Sequence, residues 1–358
     1  MRPIKLDLCQ QYYQGFSISE CFRNYRIGMQ TGSNSRFRQP SKEGLREQLM
    51  RENGGQDVQG ETIQPCLIRP FDTHFVYYVK DQKTSRSLHP KISYSKSYRP
   101  RYETLSHLLQ DNVALLVPRQ IVTSSYQHVF CTRQLVDACA ISNTSTEQNQ
   151  VFPLYLYENG QKILNIREGI INQFHGITDE NAIGRKIFDY IYAVLHSVNY
   201  RTQFFSFRSF ELPRIPYPKN KEIFEALAEK GETLQDIHLL RGDIFAEVES
   251  NLRDRGGRTL SESLSVTQAR PKAGTLKEAN KLPDWNKQIW INNSQYFDDI
   301  SEDIWNFYIG GYQPARKWIE ARKGISLRRE DLSHYAKIIR ALAETGRIMR
   351  EIDEIGVL

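Results

Sequence analysis

The chain has 358 residues, 39% hydrophobic and 11% aromatic, with a formal net charge of +6. That length fits one large or two medium domains, and the aromatic content excludes a disordered chain. No apolar run approaches the roughly 18–20 residues of a spanning helix, the start MRPIKLDLCQQ lacks a signal-peptide core, and the five scattered cysteines form no Cys-x-x-Cys pair, so a cytoplasmic protein without a disulfide framework or zinc site is expected.

In chain order, Ser41 is placed to cap a helix over Lys42–Glu52 that stops at Asn53-Gly54-Gly55. From Pro65 the pattern turns β-rich. Short strands are expected at Leu67-Ile68, Phe75–Val79, Val113–Val117, Val129–Cys131 and Phe152–Tyr157. A boundary is expected between 160 and 178, at Asn159-Gly160 or Gly176. Beyond it, Asn181–Ser197 has helical spacing in Ile183, Ile187, Ile191, Val194 and Leu195. Phe210–Pro218 must be extended, because Pro213, Pro216 and Pro218 exclude a helix. Asn220 caps the next helical segment, which ends near Leu240. Residues 253–281 read as loop or hairpin, Gln288–Asn292 and Ile304–Ile309 as strands. A final helix from about Ser326 carries a stripe of Leu332, Tyr335, Ile339, Leu342, Met349 and Ile352, the pattern of a core-facing helix. The expected class is α+β: a β-rich subdomain of short strands and long loops over 1–175, then a mainly helical subdomain with a small sheet and a long terminal helix over 176–358.

Catalytic motifs are absent. The chain has no G-x-x-x-x-G-K-[ST] or G-x-G-x-x-G phosphate loop, no G-x-S-x-G elbow and no H-E-x-x-H pair. It also lacks the Asn/Asp-Pro-Pro-aromatic loop with which amino-methyltransferases hold a flipped base, and a glycine-rich methyl-donor loop. His196 and His238 sit in apolar helical contexts and read as satisfied core residues. The acidic cluster Asp298-Asp299 with Glu302-Asp303 reads as a solvated turn, with a metal site as the alternative.

Six segments, in order, resemble one family: the C-terminal target-recognition region of bacterial adenine-specific DNA methyltransferases, in type ISP and fused type II restriction-modification enzymes. They are Arg69–Tyr78 (RPFDTHFVYY, with His74 where arginine is common), Val151–Tyr157 (VFPLYLY), Tyr190–Arg201, Leu212–Pro216 (LPRIP), Leu234–Leu240, and Ile309–Tyr312 continuing to Lys317-Trp318 and Arg322-Lys323. Ile27-Gly28 with Thr31-Gly32 echoes a further segment, with Asn34 in place of the usual aspartate. The resemblance implies a specificity module that reads double-stranded DNA while a methyltransferase domain or subunit transfers the methyl group. S-adenosylmethionine is expected in that partner and no cofactor in this chain. The alternative is a structural domain that docks to a methyltransferase with little DNA affinity of its own.

The resemblance does not say which side chains touch DNA, so candidates rest on chemistry. Between Lys80 and Arg101 seven basic residues face one acid, Asp81, with Tyr94, Tyr98 and Tyr102 among them. Cations there neutralise phosphates and tyrosines stack or donate; a solvated basic loop is the plain alternative. Lys91, Lys96, Tyr98, Arg99 and Arg101 are the candidates. Arg119 and Gln120 follow an expected strand, where an end-of-strand loop can enter a groove and pair Arg with guanine or Gln with adenine. Arg316 and Lys323 are the better-aligned cations after Gly310-Gly311. Arg69 and Arg214, held by neighbouring prolines, are expected to pair with carboxylates (Asp72 for Arg69) and join the two halves, and the Gly310-Gly311 turn to serve close packing.

Overall fold

The computed structural model describes residues 6–94, 96–122, 126–144, 147–174, 176, 182–209, 211–248, 250–271 and 287–358. The first half runs α1 (Leu6–Gln14), β1 (Phe16–Ser17), α2 (Ile18–Cys21), β2 (Arg26–Ile27), α3 (Asn34–Phe37), β3 (Arg38–Gln39), α4 (Lys42–Glu52), β4 (Ile63–Arg69), β5 (Asp72–Tyr77), α5 (Gln82–Leu88), α6 (Tyr102–Leu105), β6 (Ala114–Pro118), β7 (Phe130–Thr132), β8 (Leu135–Val136), β9 (Asn149–Pro153), β10 (Tyr155–Glu158) and β11 (Gln161–Leu164). The second half runs α7 (Glu168–Ile171), α8 (Ile183–His196), α9 (Val198–Phe204), β12 (Arg214–Ile215), α10 (Lys221–His238), β13 (Leu252–Asp254), β14 (Arg270–Pro271), β15 (Ile289–Trp290), β16 (Gln295–Phe297), α11 (Glu302–Trp305), α12 (Pro314–Glu320) and α13 (Arg329–Ile355). The α+β class holds.

Two four-stranded sheets fill the first half, in the orders β3-β5-β4-β8 and β2-β9-β6-β7. They are stitched where Met29 and Asp137 form a parallel bridge, with the Asp137 N–H donating to the Leu67 carbonyl. β6 is buried along its whole length, as the Ala-Leu-Leu-Val run demands of a central strand. Ser41 caps α4 by accepting from the Gly44 N–H at 3.0 Å, and Asn220 caps α10 by accepting from Ile223 at 2.9 Å.

The helical half is built on α8, buried on nearly every face, with α10 and α13 against it. Gly231 of α10 permits this approach: a Cβ there would lie 1.8 Å from the Asp189 carbonyl oxygen of α8. His196 and His238 are core residues with partners. Thr345 Oγ donates to the Ala341 carbonyl, so the His238 Nε2–H donates to Thr345 and Nδ1 accepts from the Tyr192 hydroxyl. Burial, with Arg201 nearby, pushes His238 down to about 3, so it is neutral. The sheet β13-β16-β15-β14 packs on α13 through Phe297 and Tyr335, ring centroids 4.5 Å apart.

The structure corrects several expectations. Phe152–Tyr157 is not one strand. Asn112 bonds both the N–H and the carbonyl of Tyr155, and the chain breaks between β9 and β10. Asn159-Gly160, both at positive φ, forms the turn of the β10–β11 hairpin. Ile304–Ile309 is not a strand: Ser301 caps α11, with Glu302 and Asp303 in its first turn, and Ile309 then bridges Tyr312. The last helix starts at Arg329, three residues after Ser326. Part of the 253–281 segment and residues 177–181 lie outside the described residues.

The halves share one continuous hydrophobic core. β12 pairs with β1, and Arg214 donates to the Gly15 carbonyl at 3.0 Å with Glu20 at 3.6 Å. Gly310, at φ +60, lies so close to Ile141 that a Cβ would sit 1.7 Å from its carbonyl oxygen; the Gly310 and Gly311 N–H groups donate to the carbonyls of Gln127 and Ile141. The glycine pair is therefore a packing device. No helix among the described residues is long and apolar enough to cross a membrane.

Gly231→Ala tests the α8–α10 approach. Helix propensity alone favours alanine by about 1 kcal/mol, but overlap with a backbone oxygen cannot relax without separating two core helices. The variant is expected to lose about 1–3 kcal/mol in denaturant unfolding; equal or greater stability contradicts the packing described.

Candidate nucleic-acid interface

A cleft of about 920 Å3 opens between the sheets of the first half and the α12–α13 region of the second. One wall carries Asn34, Arg38, Arg69, His74, Asp137 and Asn143; the other carries Tyr312, Lys317, Arg322, Arg328 and Asp331. The Arg69-Pro70-Phe71 turn, with Phe71 in the left-handed region, brings Arg69 back onto Asp72, with Nε 3.1 Å from the carboxylate. Asp72 is 2% exposed and also accepts from Arg322 of the second half at 3.3 Å. Burial alone would raise the Asp72 carboxyl, but the Arg322 and Arg69 guanidiniums outweigh it and hold it below the usual range. Arg322 lies 3.7 Å over the Trp318 ring, and His334 of α13 donates to the Phe71 carbonyl at 2.8 Å. The expected Arg69–Asp72 pair thus exists, and Arg322 extends it across the halves.

Other cleft charges are partly matched. Arg38 donates to Asp137 at 3.1 Å, while burial raises the Asp137 carboxyl. Burial brings His74 down to about 4 despite Asp72, so at neutral pH it is an uncharged donor and acceptor beside three arginines. Lys317 pairs with Glu320 at 2.8 Å, and Arg328, 79% exposed at its side chain, stands 3.9 Å from Asp331. The cleft has a cationic excess and neutral Asn34, His74 and Asn143 along one wall. Cations can hold phosphates, and amide and imidazole edges can read bases. Among the described residues no cluster of His, Cys, Asp or Glu is placed to hold a metal ion.

The structure divides the basic stretch. Lys96 and Arg99 are exposed beside the Gln30–Gly32 segment that leads to Asn34, since Arg99 and Gln30 exchange backbone hydrogen bonds. Arg99 turns back to the carbonyls of Lys96 and Tyr98 at 2.6 and 2.9 Å. Lys91 is exposed but lies against Gly54, on the α4 turn. Tyr98 leaves the candidate set: 7% exposed, it stacks on Tyr94 at 3.6 Å and donates its hydroxyl to the Val79 carbonyl at 2.7 Å. Arg101, left-handed at φ +51, is half-buried at the start of α6 with its Nε buried and unpartnered. Arg119 is exposed and Gln120 half-buried after β6, away from the cleft lining. Arg316 is exposed and paired with Glu320 at 2.7 Å; Lys323 is exposed just beyond α12. Sequence reasoning left Arg38, His74, Asn143 and Arg328 out of the site. Arg38 sits in a two-residue strand, too short for any periodic signal.

Residues 20–351 match the family described as the Type ISP C-terminal specificity domain. No curated protein matches the chain. Solved structures share the fold. A DrdV–DNA complex superposes with a TM-score of 0.67 at 20% identity over 92% of this chain and 36% of that one. A nuclease-deletion mutant of the Type ISP restriction-modification enzyme LlaGI, in complex with a DNA substrate mimic, gives 0.65 at 17% over 96% and 34%. The ATP-dependent Type ISP restriction-modification enzyme LlaBIII, bound to DNA, gives 0.65 at 17% over 96% and 24%. The chain therefore spans about a third or less of those chains' lengths.

Asp72→Asn should cost roughly 2–3 kcal/mol, below the 3–5 kcal/mol of a fully buried pair because Arg69 and Arg322 stay 24% and 21% exposed. A carboxyl depressed on folding adds stability above its unfolded value of about 4, and that stability fades as pH falls through the folded value. The wild-type chain should therefore lose more stability than Asp72→Asn on acidification below about pH 4. Parallel pH curves from denaturant titration would contradict the Arg69–Asp72–Arg322 link.

Proposed function

The chain belongs to the Type ISP C-terminal specificity domain family, and from that membership we propose that it is the DNA target-recognition module of an adenine-specific (N6) DNA methyltransferase or restriction-modification enzyme. In this reading it binds duplex DNA sequence-specifically, while a separate methyltransferase domain or subunit transfers the methyl group from S-adenosylmethionine. The observation that carries it is the cleft, where cations from both halves surround neutral polar edges. Arg38, Lys317 and Arg328 position the backbone. Asn34, His74 and Asn143 are the side chains free of net charge with which base edges can be distinguished. Lys96, Arg99 and Lys323 extend the positive surface beyond the cleft, and Arg119 and Gln120 form a second candidate contact at the end of β6. The absence of methyl-donor and base-flipping motifs from the sequence supports a module that recognises and leaves the chemistry to its partner.

Duplex affinity should fall steeply with salt, because each neutralised phosphate releases counterions. Lys317→Ala and Arg328→Ala should each reduce the log–log salt slope by about 0.9, the share of one neutralised phosphate, whereas His74→Ala should alter which sequences are enriched from a random duplex pool. Fluorescence anisotropy of the folded chain measures the first. No duplex binding at about 50 mM salt, with tight association to a methyltransferase polypeptide, would replace the DNA reading with a docking role.

A further inference from the structure

A second cavity, of about 320 Å3, lies away from the cleft, lined by Tyr126, Gln127, Val198, Arg201, Thr202 and Phe205 with Met349 of α13. Its central group is Arg201 on α9, 8% exposed. Arg201 Nε donates to the Leu195 carbonyl at 2.6 Å, and the guanidinium lies 6.0 Å from the Tyr126 ring centroid. Among the described residues no carboxylate lies within ion-pairing distance of it. Asp353, the nearest acid acting on it, is engaged elsewhere: it accepts from Ser197 Oγ and from the N–H groups of Val198 and Asn199, where it caps α9. Burial lowers Arg201 to about 10, which still leaves a full cation at neutral pH. The Tyr126 hydroxyl, also buried, makes no hydrogen bond of good geometry. A second guanidinium, Arg208, lies 5.2 Å from the Tyr126 ring centroid and is wholly buried on the carbonyls of Pro118, Arg119 and Glu211.

A buried guanidinium with no ion-pair partner, acted on by Asp353 only at longer range, is stabilised by an anion that joins it. Arg201 keeps its two terminal nitrogens for that purpose, Thr202 stands at the rim with a hydroxyl, and the lining contains no acid to repel an anion. A planar fork with further donors around it suits a tetrahedral oxyanion better than a carboxylate, which the fork alone would satisfy.

We propose that this cavity is a binding site for a phosphate-class oxyanion, held by Arg201 with Thr202 and Tyr126 as further donors. The oxyanion is either a backbone phosphate of DNA or a free phosphate; the chemistry is the same. The site stands independently of the DNA reading. It also lies near the residues that follow β6: the Ile121 N–H donates to the Arg208 carbonyl, and Tyr126 and Gln127 line the cavity. Occupancy therefore braces the base of the segment that carries Arg119 and Gln120.

The test is thermal unfolding of the full chain in inorganic phosphate, against chloride and acetate at matched ionic strength. At about ten times its dissociation constant, phosphate should raise Tm by about 2–3 °C, and acetate should not. Arg201→Gln should abolish the rise. Thr202→Glu, which supplies a carboxylate at the rim, should also abolish it, and serves if Arg201→Gln does not fold. An equal rise in all three proteins, no rise in the wild type, or an equal rise with acetate overturns the proposal. Duplex titrations then identify the source: Arg201→Gln lowers the salt slope by about one if a DNA phosphate occupies the cavity, and leaves it unchanged if free phosphate does. A missing phosphate response with duplex binding intact sinks this site alone; a retained response without duplex binding sinks only the DNA reading.

Discussion

Asp72 serves two guanidiniums that come from opposite ends of the chain. Arg69 reaches it across three residues of one turn, and Arg322 reaches it from α12's C-terminal side, 250 residues away. Neither pairing would be strong alone at a solvent-facing edge. The carboxylate is buried, however, and its desolvation is offset only while both cations remain in place. Trp318 beneath Arg322 and His334 on the Phe71 carbonyl fix the second cation from behind. The cleft walls are consequently held at one separation, and Arg38, His74 and Lys317 keep a defined spacing across it.

The sequence was informative where a signal is local. The caps at Ser41 and Asn220, the apolar periodicity of α8 and α13 and the Arg69–Asp72 pairing rest on neighbours within one turn or one helix face. It misled where the outcome is set by partners distant in sequence. Asn112 cuts Phe152–Tyr157 into two strands by bonding Tyr155 from 43 residues away. A local signal was also missed: Ser301 and the two acids after it cap a short helix over Glu302–Trp305 where alternation suggested a strand through Ile309. Tyr98 has the composition of a stacking platform, but Val79 and Tyr94 claim both its hydroxyl and its ring. Cationic composition pointed to Lys96 and Arg99 and gave no sign of the cleft, because Arg38, His74 and Arg328 converge only through the pairing of β3 with β5 and the docking of α13.

Two electrostatic strategies coexist. In the cleft, carboxylates match some of the arginines and leave a modest cationic excess, so a ligand gains from surplus charge without a large desolvation cost. Around Arg201 and Arg208 the guanidiniums contact main-chain carbonyls and an aromatic ring, and among the described residues neither forms an ion pair with a carboxylate. The first arrangement tolerates exchange of partners, and the second selects for charge.

The Gly310-Gly311 turn meets the first half through main-chain atoms, donating to the carbonyls of Gln127 and Ile141. Peptide carbonyls are supplied by every residue type, so this joint makes few demands on which side chains occupy the loops it grips. Exposed positions near it, such as Arg119, Val122 and Asn143, can accept new amino acids by mutation while the halves stay joined. Under the proposed DNA-recognition reading, that separates inheritance of the scaffold from diversification of what it recognises, and allows one to change while the other is preserved.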